Sequence, residues 1–396
     1  MDTLFTKDKA KKTCATPITS FREKHLYPVL SAEELLDLPK CNKLITDISK
    51  QIASQDDYYR LYYHPLLHNF AAFVQILPIT NQGPPGEILI AGLQRALNVL
   101  QIHHHERPHA DSLWDYVFFS AALLFDIGKV TENRTVINSS EDGVFIGKWL
   151  PYEEPMTVSM RYYRIRRGGG MSSWVVRRII ILLAHNIMPA KGFKWIAEDQ
   201  QALNVWLALL SDDHAGIEDF ALILNRAQEL LDSLGEHRDF SLPVETIEPE
   251  QTALGEEFVE WLKDSIIDGS IDINEPDSGV HVIDKGIFLE TPMVFRTFCS
   301  YKQPNVHWRV IFKQFNMLGF APLSGEDYKF KQYFAEYPEV KEKKFSSLFG
   351  RKGQETTAQK TGVSGVLLSR DATSWILEGV DRENIKTSQL ILQKAY

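Results

Sequence analysis

The sequence predicts a mainly helical protein in two units, an all-helical N-terminal unit followed by a smaller α+β one. Three observations carry this. Over the first 235 residues, apolar side chains recur in long runs at helical spacing. Between residues 236 and 252 the chain turns acidic and proline-containing (Leu242-Pro243-Val244-Glu245, Glu248-Pro249-Glu250) and loses its period, the composition of a connection. Beyond it, His281-Val282-Ile283 and Ile287-Phe288-Leu289 flank the turn residues Asp284-Lys285-Gly286, an antiparallel hairpin set among helices. The predicted division is an arm over 1–28, a helical unit over 29–235, a linker over 236–252 and an α+β unit over 253–396.

Each element has a local reason. The first residues are polar and lysine-rich, and Ser31-Ala32-Glu33-Glu34 is a capping box that opens a helix. Residues 57–77 place Tyr58, Leu61, Leu66, Phe70, Phe73, Val74 and Leu77 on one face, a long helix that Pro78 ends. Asn81-Gln82-Gly83-Pro84-Pro85-Gly86 is a loop, and Ile88 to Ile102 is again helical. Residues 113–125 are almost wholly apolar, which predicts a helix at the centre of the core. An irregular stretch from Thr131 to Gly170 follows, then helices at 172–186, 199–211 and 216–234. In the second unit a helix from Phe258 to Ile267 precedes the hairpin, helices at 291–299 and 306–318 follow it, and strands are expected near 363–368 and 374–377. Helices around a small hairpin resemble a winged helix. The basic run Lys341 to Lys352 reads as a solvated loop, placed where a wing would meet a DNA backbone.

Composition narrows the function. A formal net charge of −9 provides no global basic field, so nucleic acid must be met by local patches. Cys14, Cys41 and Cys299 lie far apart without C-x-x-C spacing, which argues against a disulfide framework and a zinc–thiolate site and fits a reducing cytoplasm. The N-terminus lacks a signal-peptide pattern, and no window approaches the roughly 18 apolar residues of a spanning helix.

Several blocks, in order, carry a family resemblance. Tyr58-Tyr59-Arg60-Leu61-Tyr62-Tyr63-His64-Pro65-Leu66 leads into Val74-Gln75-Ile76-Leu77-Pro78, and Gly92-Leu93-Gln94-Arg95-Ala96-Leu97 follows. Trp114 to Lys129 ends in Ala121-Ala122-Leu123-Leu124-Phe125-Asp126-Ile127-Gly128-Lys129, and Gly255 to Leu262 and Val280 to Phe295 complete the set. Together these blocks resemble the TraI-type, MOBH-class relaxases of conjugative plasmids and integrative elements, which carry an HD-type domain and a separate C-terminal domain. The resemblance implies an HD-like fold for the first unit and a centre where histidines and aspartates hold divalent ions that activate water against a phosphodiester.

The departures from the family pattern gather at that centre. Phe125 stands at the histidine of the HD pair, Arg95 at a helix histidine, and Pro84 and Pro85 or their neighbours at paired loop histidines. The residual metal candidates are Asp126, His185, Asp212 and Asp213, a set that would hold Mn²⁺ or Mg²⁺ poorly or not at all. Asp126 has an alternative reading, an ion pair with Arg95 or Lys129 in the vacated metal position. His103-His104-His105 with His109 reads as a solvated cluster rather than a transition-metal site, because Pro108 interrupts the helix. Arg161, Tyr162, Tyr163, Arg164, Arg166 and Arg167, ahead of three glycines, offer cations for phosphate and rings for unpaired bases, or else form a polar β-like connection. Tyr62, Tyr63, Tyr162 and Tyr163 are equivalent as nucleophile candidates.

Three functions fit the sequence. The first is a relaxase-like protein that binds transfer DNA, at the transfer origin or as a single strand, or relaxosome and coupling partners, with nicking impaired or absent. The second is an active nickase using Asp126, His185 and an acidic residue. The third is an HD-type nucleotide phosphohydrolase, which Phe125 disfavours.

Overall fold

The computed structural model describes residues 25–52, 56–107, 111–167, 170–235, 240–247, 249, 252–275, 277–321, 323–324, 329–330, 332–336, 362–380, 385, 388 and 390–395. The expected N-terminal arm up to residue 24, Pro108, His109, Gly168, Gly169 and the basic run 341–352 lie outside them. Two compact units emerge, residues 1–142 with 146–249 and residues 143–145 with 250–396.

In the first unit, β1 (Tyr27–Pro28) precedes α1 (Ala32–Leu36), α2 (Pro39–Ile52), α3 (Asp56–Tyr58), a π-helical turn (Tyr59–Tyr63) and α4 (His64–Val74). Then come α5 (Glu87–Glu106), α6 (Ser112–Leu124), a 3₁₀ turn (Ile127–Thr131), β2 (Arg134–Ser139), β3 (Phe145–Lys148), α7 (Met156–Ser159) and β4 (Tyr162–Arg167). The helices α8 (Ser173–Ile187), α9 (Ala190–Ala197), α10 (Gln200–Ser211) and α11 (Glu218–Gly235) close it. Ser31 caps α1 through the capping box its sequence announces, its hydroxyl accepting from Glu34 N at 3.2 Å and its own N–H donating to the Glu34 carboxylate at 2.8 Å.

The centre of this unit is the crossing of α5 and α6. Every residue from Ile88 to Leu100 is buried, as is every residue from Tyr116 to Leu124. Helices apolar all round belong in a core, and α2 and α11 cover α5 while α10 covers α6. Gly92 sets the spacing, since a Cβ there would lie 2.7 Å from Phe70 Cζ and 3.1 Å from the Leu123 carbonyl oxygen. Only a missing side chain lets the two backbones approach this closely.

Residues 57–77 do not form one helix. Pro65 sits in the first turn of α4, where it can neither donate to the Leu61 carbonyl nor clear it, and the chain widens into the π-helical turn Tyr59–Tyr63. The all-helical expectation also needs correction, because residues 131–170 hold three strands that join β1 in a sheet of order β1-β4-β2-β3, antiparallel where β4 meets β1 and β2. Strand β2 is buried at five of its six positions and so lacks the alternation that signals a strand. Helices α2 and α9 were not expected.

The second unit contains α12 (Ala253–Ile267), β5 (Val280–Ile283), β6 (Gly286–Glu290), α13 (Met293–Lys302), α14 (Trp308–Met317), β7 (Leu323–Ser324) and β8 (Lys329–Phe330). They are followed by β9 (Gln332–Glu336), β10 (Gly362–Leu367), α15 (Arg370–Ile376) and β11 (Ile391–Ala395). The hairpin β5–β6, in the register Val280 with Leu289, is the edge of a five-stranded antiparallel sheet, β11-β9-β10-β6-β5. Phe258 stacks on Phe295 at 4.4 Å and meets Phe315 edge-on at 5.4 Å, which ties α12, α13 and α14 together. The strand expected near 374–377 is the end of α15. Ser369 accepts from Ala372 N at 3.2 Å and Asp371 lies in the first turn, so capping overrides the β-like Trp375-Ile376-Leu377.

Gly92→Ala is expected to destabilise the first unit by about 1–3 kcal/mol through overpacking against Phe70 and Leu123. Urea unfolding followed by circular dichroism checks this.

Candidate functional site

The close crossing brings Arg95, mid-way along α5, against the end of α6. Its guanidinium is 1 % exposed and engaged at all three nitrogens: Nε donates to Gln228 Oε1 of α11 at 2.6 Å, Nη1 to the Ala122 carbonyl at 3.1 Å, and Nη2 to the Asp126 carboxylate. Its face lies 5.0 Å from the centroid of the Phe125 ring. Asp126 starts the 3₁₀ turn at 16 % side-chain exposure, so this is a nearly dry ion pair braced by a helix carbonyl, a carboxamide and an aromatic face. Gln228 is itself held, donating to Asp232 at 2.7 Å. Of the two cations weighed for Asp126, Arg95 is its partner, while Lys129 pairs with Glu132 at 2.6 Å.

The other residues proposed as metal ligands do not converge on Asp126. His185 is exposed on α8, its ring edge-on to Phe193 at 5.0 Å. Asp212 ends α10 in a left-handed conformation (φ 57°) and pairs with Arg177 at 2.9 Å and His214 at 3.5 Å. Asp213 accepts from the Ala215 N–H at 3.3 Å. Among the described residues no group of three or more His, Cys, Asp or Glu side chains could hold a metal ion. Arg95 brings a positive charge and no lone pair to the position beside Asp126. The residues present therefore do not fit the divalent centre implied by the resemblance.

The loop before α5 is structurally fixed. Gln75, at φ 48°, uses its side chain to bond both the N–H (3.0 Å) and the carbonyl (2.9 Å) of Leu30. Arg134 donates to the Pro78 carbonyl and, at 2.7 Å, to that of Ile79, whose N–H donates to Glu87 at 2.8 Å. Burial lowers the Arg134 guanidinium to about 10 and raises the Glu87 carboxyl. The Pro85 carbonyl accepts from Leu242 N at 2.8 Å.

The histidine run differs from expectation. α5 continues to Glu106, and His103 is wholly buried, its Nδ1 2.8 Å from Asp115 and its ring 4.7 Å from Phe118. His104 Nε2 reaches the same carboxylate at 3.0 Å, and only His105 is exposed. Asp115 thus ties the end of α5 to the start of α6, and this is why the run is not a solvated surface. Burial alone would raise the Asp115 carboxyl, but the bonds from His103 and His104 outweigh it and hold it below its usual range. The bond to Asp115 raises His104.

Strand β4 is a packed strand. Tyr163, Arg164, Ile165 and Arg166 are buried, Tyr162 and Arg167 are half-buried, and Arg161, just before the strand, is exposed. Tyr163 stacks on Tyr27 at 5.7 Å. Burial drives the hydroxyls of Tyr63 and Tyr163 well above their ordinary value, so of the four tyrosines only Tyr62 and Tyr162 reach the surface in part.

Sequence reasoning missed Gln228 and Asp115 as partners. The available signal was the lone arginine in a helix apolar all round, since a buried cation demands acceptors. Nothing in the sequence flagged the exposed Trp174 of α8.

Comparison with known families places the chain. Residues 27–301 match the TraI_2 model, described as "Putative helicase", and residues 253–375 match TraI_2_C, described as "Putative conjugal transfer nickase/helicase TraI C-term". The chain belongs to this conjugal transfer nickase/helicase family. No curated protein matches it. The crystal structure of the C-terminal domain of a Salmonella enterica protein is 22 % identical over 36 % of this chain and 99 % of its own, with a TM-score of 0.26. No helix among the described residues is long and apolar enough to cross a membrane.

Two outcomes follow. Arg95→Ala is expected to cost about 3–5 kcal/mol, because it leaves Asp126 unpaired, and adding Asp126→Ala should recover part of the loss in a double-mutant cycle by thermal unfolding. Asp115, lowered from 3.8, stabilises above that pH and loses its contribution as pH falls through the folded value; His104, raised from 6.5, stabilises below that pH and loses it as pH rises through the folded value. The stability gap between wild type and Asp115→Asn should therefore be widest between pH 3.8 and 6.5 and narrow as pH rises through the folded value of His104 in melts across pH.

Proposed function

We propose that this chain is a relaxase-like protein of a conjugative plasmid or integrative element, of the MOBH class, that binds transfer DNA or relaxosome partners through an HD-type domain whose metal centre has been replaced by an ion pair. The observation that carries the reading is Arg95, whose guanidinium occupies the position beside Asp126 and uses its carboxylate. A divalent ion there would meet a fixed positive charge in a dry setting, where repulsion is weakly screened. Water would lack the Lewis acid that lowers its pKa, and this reading assigns the fold to holding DNA or a partner rather than to hydrolysis. The same argument removes the nucleotide phosphohydrolase, which depends on that centre. We further assign the second unit the part of a winged-helix-like accessory domain, and the cytoplasm as the place of action.

With a net charge of −9, binding would rest on local cations and fall steeply with salt. The test is fluorescence anisotropy with transfer-origin duplex, hairpin and single-stranded oligonucleotides at low salt in EDTA, alongside elemental analysis and a Mn²⁺ nicking assay. Metal-independent binding without bound metal or nicking is expected. Stoichiometric Mn²⁺ with nicking that EDTA abolishes would overturn the loss of the centre, and absence of DNA binding at low salt, with no partner retained, would overturn the reading as a whole.

A further inference from the structure

The outward side of α8 has a character its inward side does not require. Val176, Ile179, Ile180, Leu183 and Ile187 are buried and anchor the helix. On the opposite side Trp174 is 65 % and Leu182 64 % exposed, and Arg178, one turn from each, lies with its guanidinium 5.1 Å from the centroid of the Trp174 ring. Single exposed apolar residues are ordinary, but an indole capped by a guanidinium on a protruding helix face is a specific arrangement. The neighbouring Asp212 pairs with Arg177 at 2.9 Å, which leaves Arg178 as a cation for this side. The first turn of α8 has no side-chain cap, and its N–H groups add partial positive charge at the Trp174 end.

We infer that Trp174 and Arg178 form a platform for single-stranded DNA, the ring stacking on an unpaired base and the guanidinium meeting the adjacent phosphate. The inference rests on the DNA-binding reading above and names the surface and the form of DNA. Charge complementarity selects a polyanion, and geometry selects a single strand, because an indole on a convex helix face can stack only on a base that is not already paired and stacked. A docking face for a protein helix would present a continuous apolar stripe, whereas here Arg178 and His185 alternate with Trp174 and Leu182.

The test measures anisotropy of a labelled single strand and of the duplex of the same sequence with the full chain, as wild type, Trp174→Ala, Trp174→Phe and Arg178→Ala. Both side chains replaced are exposed, and circular dichroism verifies the fold. Trp174→Ala should weaken single-strand binding about tenfold, Trp174→Phe should retain most of it, and Arg178→Ala should lower the salt slope by about one, with duplex affinity unchanged. Equal single-strand affinity of wild type and Trp174→Ala would overturn the platform while leaving DNA binding intact. A wild type that binds no DNA would overturn the platform together with the DNA-binding part of the reading above. Loss of self-association in Trp174→Ala by sedimentation, without change in DNA affinity, would assign the face to a second copy of the chain instead.

Discussion

The close crossing of α5 and α6 governs the first unit. Gly92 lets the two backbones approach, and that approach decides what Arg95 can reach: the Ala122 carbonyl, the Asp126 carboxylate and the Phe125 ring all lie on the end of α6. Further along the same pair of helices, Asp115 meets His103 and His104 and locks the register at the other end. Between these two polar fasteners the interface is apolar. Hydrophobic burial supplies most of the attraction, but it is non-directional, and the two polar clusters select one alignment among the many that an apolar pair of helices would accept.

How far the sequence was legible follows from how local each signal was. The capping box at Ser31, the apolar run of α6, the hairpin β5–β6 and the helices α13 and α14 depend on neighbours a few residues away, and they stand where their patterns put them. Strand β2 hid because burial on both faces erases alternation, and β4, open to a β-like reading, hid its burial because buried arginines read as surface. The turn at Tyr59–Tyr63 depends on Pro65, whose local effect is masked by the helical period of the whole stretch. At the site, Arg95 and Phe125 were readable as departures from the pattern the resemblance implies, and so was the choice of Arg95 or Lys129 as partner for Asp126. Gln228 and Asp115 were not, because both act across more than ten residues of sequence.

Arginine chemistry differs between the interior and the surface of this protein. Arg95 and Arg134 are buried and spend their donors on carbonyls, a carboxamide and a carboxylate, so they position backbone. Arg177 and Arg178 project from α8, Arg177 paired with Asp212 and Arg178 placed where a polyanion could meet it without disturbing the core. A count of basic residues does not distinguish the two, and this is why the arginine-rich β4 looked like the stronger interface in sequence while α8 is the more accessible one.

The Arg95–Asp126 pair also makes its neighbours interdependent under substitution. A histidine at position 95 alone would strand Asp126, and one at 125 would remove the ring beneath the guanidinium. Each single replacement loses stability, so these three positions can be exchanged together at lower cost than one at a time.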